Sequence, residues 1–305
     1  MAPTTIRRIL PAALTIALAL IGSSAGAAPI GIAASGSNGE STPPPGPPTG
    51  QPCMPEDATT FVASDALAPG ELAAPPGSLG LSLGILPDGG SAFLLPDQSF
   101  VSLSNQRGTI RLQLTSGSCG SPTLSYDGSS ASGSATWSVD PAGTAGSYRE
   151  ATGSGTGTFT AGLTPGTTNP WSLNLNGAIE VLQPSVTASL LESTWAHQPK
   201  HTSGKVATVT YLVTNEGPGD AFGSMLLDAQ APGGVVPVDF QPAALGDLAA
   251  GETTEVVIRW EIPKPNHGPR PKAFDSTLTI QQADALDVAS TGDQVVHVDV
   301  PHKDH

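Results

Sequence analysis

In the stretch TTEVVIRWEI, residues 253–262, apolar and polar residues alternate strictly. Val256, Ile258, Trp260 and Ile262 fall on one side of an extended chain, and Glu255, Arg259 and Glu261 on the other. A period of two can bury one face only as a β-strand; wound into a helix, the same residues would scatter around the axis. The pattern recurs along the chain. GTIRLQLTSGSC sets Ile110, Leu112 and Leu114 against Arg111, Gln113 and Thr115, and the last run sets Val296, Val298 and Val300 against His297 and Asp299. Gly, Pro, Asn and Asp punctuate these runs, and 36 Gly with 30 Pro in 305 residues leave no long window for a helix. No sustained apolar repeat at helical spacing occurs outside the N-terminus. The expected fold class is all-β.

Charge removes several functions. The formal net charge is −14, and between Arg8 and Lys200 the only basic residues are Arg107, Arg111 and Arg149. A nucleic-acid ligand needs a basic footprint to release counterions, so nucleic acid is excluded as an expected partner. An anionic membrane surface would also repel the chain. Acidity fits solubility outside the cell and leaves room for divalent cations.

The N-terminal MAPTTIRRILPAALTIALALIGSSAGAA has the layout of an export signal. Arg7 and Arg8 are its basic region, Ile9 to Ile21 its apolar region, and Ala25-Gly26-Ala27 its small-x-small cleavage pattern. Cleavage is expected after Ala27. The apolar stretch is shorter than the ~20 residues a membrane-spanning helix needs, so no transmembrane segment is expected in the mature chain. In an exported chain the two cysteines, Cys53 and Cys119, are expected to form a disulfide. Closing that loop would stabilise the fold by about 4 kcal/mol. A two-cysteine metal site is the alternative, but the first histidine is the distant His197.

Composition divides the rest. Residues 28–52, containing SGSNGESTPPPGPPTGQP, read as a Pro/Gly/Ser-rich disordered linker. Residues 53–183 form a Gly/Ser/Thr-rich all-β domain, sandwich or barrel-like, with apolar but Pro- and Gly-crowded edge strands first and clear strands in SATWSVDP, SGTGTFTAGL and PWSLNLNGAIEVLQP. Residues 184–301 offer seven strand candidates at the spacing of an immunoglobulin-like sandwich, and 302–305 are a tail. The expectation is two β-sandwich-like domains after a signal peptide and a linker.

Within the second domain, VATVTYLVTNEGPGDAFGSMLLD has the form of two strands joined at a corner. Ala207, Val209, Tyr211 and Val213 make a buried face that stops at Asn215. Gly217 and Gly219 are free to take positive φ, and Pro218 lacks the amide hydrogen a continuing ladder would need. VTYLVTNEGPGDA, followed by LGDLAAGETTEVVIRW, resembles the immunoglobulin-like repeat domains of bacterial surface proteins, of the conserved-repeat and CARDB types. The resemblance covers about residues 184–301. It implies an extracellular spacer or adhesion module, and it brings no catalytic residues with it.

Candidate sites are few. GSSAG, Gly22 to Gly26, matches a nucleophile-elbow pattern but lies inside the export signal. Asp284, Asp287 and Asp293 group hard oxygen ligands before the last strand, where calcium is the cation such ligands would take; a solvated turn is the plainer explanation. His197 and His201 have metal-pair spacing, but Pro199 between them argues against a shared helical face, and His302 and His305 sit in the tail. Trp137 and Trp171, in tryptophan-x-aliphatic tripeptides that resemble the motif of WxL-type wall-binding domains, could stack with Tyr148 on a sugar if exposed. A tryptophan on a strand is more often part of the core. The expected function is a non-enzymatic secreted or cell-surface adhesion, attachment or matrix module, held outside without covalent anchoring, whose partner is a surface protein or glycan. A carbohydrate-binding module using those aromatics is the alternative. A hydrolase with dispersed carboxylates is the third reading. No cofactor is expected.

Overall fold

The computed structural model describes residues 6–9, 27–42, 59–64, 77–86, 88–95, 97–196, 205–263 and 271–300. The chain is all-β, in several antiparallel sheets. It divides into two compact units, Ala25–Val181 and a second containing Leu182–His305. A short strand, β1 (Ile6–Ile9), belongs with the second.

The first unit runs through β2 (Ala27–Ser41), β3 (Thr59–Ser64), β4 (Gly77–Ile85), β5 (Ser91–Leu94), β6 (Phe100–Asn105) and β7 (Gly108–Thr115). It continues with β8 (Leu124–Tyr126), β9 (Ser130–Val139), β10 (Ala145–Gly146), β11 (Thr152–Gly162) and β12 (Thr168–Glu180). These form one sheet in the order β10-β7-β6-β4-β3-β2-β12-β11-β9-β8-β5, and extra β7–β9 and β4–β5 pairings bring the sheet back onto itself. A sheet that closes hides its edges, and its inward residues fill the interior. Leu79, Leu81 and Leu83 of β4, Ile110, Leu112 and Leu114 of β7, and Leu173 and Leu175 of β12 supply that interior, each at most 3% exposed. The Pro- and Gly-crowded segment expected to give short edge strands thus contains β4, a nine-residue strand paired on both sides.

Residues 28–52, expected to be a disordered linker, require a correction. Most of the span before the triple proline is β2, which pairs with β12 from Ala27↔Glu180 to Glu40↔Thr168. The physical reason lies on β12 and its turn. The Trp171 indole donates to Asn38 Oδ1 at 2.8 Å, and Gly36 leaves room for that ring. Asn169, 2% exposed, donates to the carbonyls of Thr164 and Thr167 and accepts from the Thr164 amide, fixing the turn that feeds β12. Small polar residues suit a strand that crosses a tryptophan as well as they suit a spacer. Residues 43–58 lie outside the described residues.

The second unit contains β13 (Val186–Trp195), β14 (Lys205–Asn215), β15 (Ala221–Gln230), β16 (Val236–Pro237), β17 (Ala243–Leu248), β18 (Thr253–Ile262), β19 (Ala273–Ala283) and β20 (Ala289–Asp299). One sheet runs β1-β18-β14-β13 with β16 also on β18; the other runs β17-β15-β19-β20. Their apolar faces share one buried cluster that includes Val209, Tyr211, Leu226, Trp260 and Val298. The alternation in TTEVVIRWEI has the expected result, with Val256, Ile258, Trp260 and Ile262 buried and the residues between them half-exposed. Of GVVPVDF only the two-residue β16 is strand, and AALGDL forms β17.

The corner after β14 differs from expectation in its cause. Neither Gly217 nor Gly219 is among the positive-φ residues. A Cβ on Gly217 would strike the backbone at Ser185 and Gln183, and one on Gly219 would strike Leu182, so these glycines permit close backbone approach. Asn215, fully buried, holds the corner: its Oδ1 accepts from the amides of Ser185 and Gly217, and its Nδ2 donates to the carbonyls of Gly219 and Leu248.

Of the expected export signal, Ile6–Ile9 pairs with Val256–Thr253 as an edge strand, and residues 10–26 lie outside the described residues. Among the described residues no helix is long and apolar enough to cross a membrane.

Candidate functional site

The outward faces of β9, β11 and β12 lack charge over most of their length. The inward positions of β11 explain why that face is orderly. Trp137 lies beneath β11, where Gly155 and, on β12, Gly177 leave space for its indole; a Cβ on Gly155 would stand 2.6 Å from the indole nitrogen. Glycine at these inward positions leaves the outward alternates of β11 as Ser154, Thr156, Thr158 and Thr160, all exposed.

Pairing register lines these side chains into rows. Thr115 of β7 faces Thr136 of β9, Thr136 faces Thr156 of β11, and Thr156 faces Asn176 of β12. A second row is Ser134, Thr158 and Asn174. Between the rows lies an open groove of about 710 Å³, with Ala135 and Gly157 among its lining residues. The volume is in the range of small-ligand sites. Ser116, Gly117 and Thr123 line the groove beside β7. There Ser116 is 6% exposed and bonds to Thr123 Oγ1 at 2.7 Å, and Gly117 adopts φ 61°. On β12, Asn176 and Asn174 face Gly31 and Ala33 of β2, so the polar rows stop.

None of the lining residues is titratable. Thr115 and Thr136 bond to each other at 2.8 Å, and Asn176 donates to Asn174 Oδ1 at 3.2 Å. The side chains of Ser134, Thr156 and Thr158 have no hydrogen-bond partner among the described residues. They therefore present donors and acceptors to whatever fills the groove. The site can recognise by hydrogen bonding, and its lining holds no acid, base or activated nucleophile.

The aromatic residues expected as a sugar platform are elsewhere. Trp137, Tyr148 and Trp171 are 2%, 2% and 4% exposed. Their polar atoms have internal partners: Trp137 Nε1 donates to Asn176 O at 3.2 Å, and Asn105 Nδ2 donates to the Tyr148 hydroxyl at 2.7 Å. Rings buried in this way cannot stack on a ligand, which corrects that expectation.

The three aspartates also separate. Asp284 is buried, and its carboxylate accepts from the amides of Leu286 and Val288 and from Gln183 Nε2, so it organises the β19–β20 turn. Asp287 takes φ 63° in that turn, and Asp293 accepts from Thr279 Oγ1 at 2.7 Å. Among the described residues no three His, Cys, Asp or Glu side chains gather to hold a metal ion. His197, His201, His302 and His305 lie outside the described residues, as does Cys53. Cys119 stands in the turn between Ser116 and Thr123, and no described cysteine is free.

Reasoning from single residues missed the groove because no residue in it carries a chemical signature. The detectable signal was collective: TGSGTGTFT, SGSATWS and SLNLN all place Ser, Thr or Asn at alternate positions where an exposed strand would ordinarily carry Lys or Glu. No family model, curated protein or solved structure matches the chain.

Proposed function

We propose that the protein is a non-enzymatic extracellular attachment module, secreted or held non-covalently at the cell surface. It contacts its partner through the groove across β7, β9, β11 and β12, and its second unit is an immunoglobulin-like spacer of the conserved-repeat kind. One observation carries this reading: the groove presents the unpartnered hydroxyls of Ser134, Thr156 and Thr158, with no titratable group among its lining residues. Such a surface binds without reacting. A hydrolase would need two acids facing one cleft, and the groove lining contains none.

Two features support the spacer. Two antiparallel sheets enclose one core, and Asn215 of VTYLVTNEGPGDA is the residue that ties the corner together through four hydrogen bonds. Calcium has no part in this reading.

Fractionation of producing cells tests it. The mature chain, starting near Ala28, is expected in the culture medium or in the fraction that high salt or competing ligand strips from the cell wall. Recovery in the cytosol, or in membranes after a salt wash, would contradict it.

A further inference from the structure

We propose that the groove binds an uncharged, extended polysaccharide laid across the strands, so that successive sugars meet successive strands. The proposal rests on the attachment reading above and names the class of ligand.

The geometry of the rows sets the repeat. Adjacent strands lie about 4.8 Å apart, close to the length of one pyranose ring along an extended chain. At each strand the groove has a side chain on either flank: Thr136 and Ser134 on β9, Thr156 and Thr158 on β11, Asn176 and Asn174 on β12. A polymer in the groove therefore meets one polar pair per sugar over roughly three sugars. Hydroxyl and amide groups both donate and accept, as sugar hydroxyls do.

The surroundings select against other polymers. A peptide strand would be held by an open sheet edge, but β11 and β12 each have partners on both sides, and β9 pairs with β11 on one side and with β7 and β8 on the other. An acidic glycan or nucleic acid would find no cation in the groove, on a chain whose formal net charge is −14. The Ser116–Thr123 turn lines the groove beside β7, and at β12 the rows give way to Gly31 and Ala33 of β2. A chain can enter over β2. With the nearby aromatic rings buried, hydrogen bonds carry the affinity, so binding strengthens with the number of sugars engaged.

Affinity electrophoresis of the full chain tests this, using native gels that contain xyloglucan, mixed-linkage β-glucan, galactomannan or, as an anionic control, alginate. At least one neutral polymer should retard the protein, alginate should not, and short oligosaccharides should compete less well than polymer. The doubly substituted Thr156→Ala/Asn176→Ala protein should bind about tenfold more weakly. Its melting temperature should not change, because both side chains are exposed. Migration of the wild type unaffected by every neutral polymer, or equal retardation of wild type and variant, would overturn the proposal. If the protein still attaches to cells through the groove face in that case, the attachment reading stands and only the ligand class falls.

Discussion

Trp137 donates its indole N–H to the carbonyl oxygen of Asn176 at 3.2 Å, reaching beneath an intervening strand to do so. Trp137 is on β9, Asn176 is on β12, and β11 runs between them with Gly155 where the ring passes. The same Asn176 turns its side chain outward into the groove. Core packing and the candidate binding face are thus two sides of one contact.

Replacing Gly155 should therefore be costly. In an ordinary strand, Gly→Ala gains stability by restricting the unfolded chain. Here the added methyl meets the indole and the Asn176 carbonyl, and overpacking should outweigh that gain. Gly155→Ala is expected to lose about 2 kcal/mol in chemical denaturation. Gly90→Ala, where a Cβ would meet nothing within 4 Å, should lose far less.

Asn215 makes four hydrogen bonds from a fully buried position. Truncation leaves two amides and two carbonyls without those partners. Asn215→Ala should destabilise the second unit by on the order of 3 kcal/mol, and Asn215→Asp should not restore it, because the two carbonyls lose their donor. Differential scanning calorimetry of the full chain, with the two transitions resolved, provides the measurement.

Tyr211 is buried, and its hydroxyl donates to Ser276 Oγ at 2.9 Å, which in turn donates to Val296 O. Burial pushes the phenol up from its usual 10.0 to about 12. The folded state therefore holds this proton more tightly than the unfolded chain. The associated stability is fully present below pH 10 and is lost as pH rises from there toward 12. Tyr211→Phe should remove that part of the alkaline loss of stability, at a cost near neutrality of about 1 kcal/mol for the hydrogen bond. Denaturation curves at pH 7 and pH 10.5 compare the two proteins.

We propose that Cys53 and Cys119 are paired in a disulfide. It would brace the turn beside the groove, since Cys119 lies within the isolated Ser118↔Ser121 bridge. Cys119→Ser should lower stability by about 4 kcal/mol, and non-reducing peptide mapping should recover the two cysteine peptides joined. Separate thiol peptides would exclude the pairing.

The alternating runs made strands and their buried faces legible in the sequence: Ala207, Val209, Tyr211 and Val213 are all fully buried, as the period of two requires. Two things were not legible. The closing β7–β9 contact joins segments whose pairing is set by the tertiary fold, and alternation says nothing about which strand lies beside which. The strand character of residues 27–41 was hidden because Gly, Ser and Ala there serve to cross Trp171, a reason visible only once the partner strand is known. The groove has the same origin. Thr136, Thr156 and Asn176 are unremarkable singly and become a row only through register.

A co-sedimentation assay tests attachment through this face. Washed producing cells would be incubated with the full-length mature protein and with its Thr136→Glu/Thr156→Glu variant, after equal melting temperatures have been verified. Two carboxylates on the groove rows should leave the variant in the supernatant while the wild type pellets with the cells. Equal pelleting of both proteins would contradict the account.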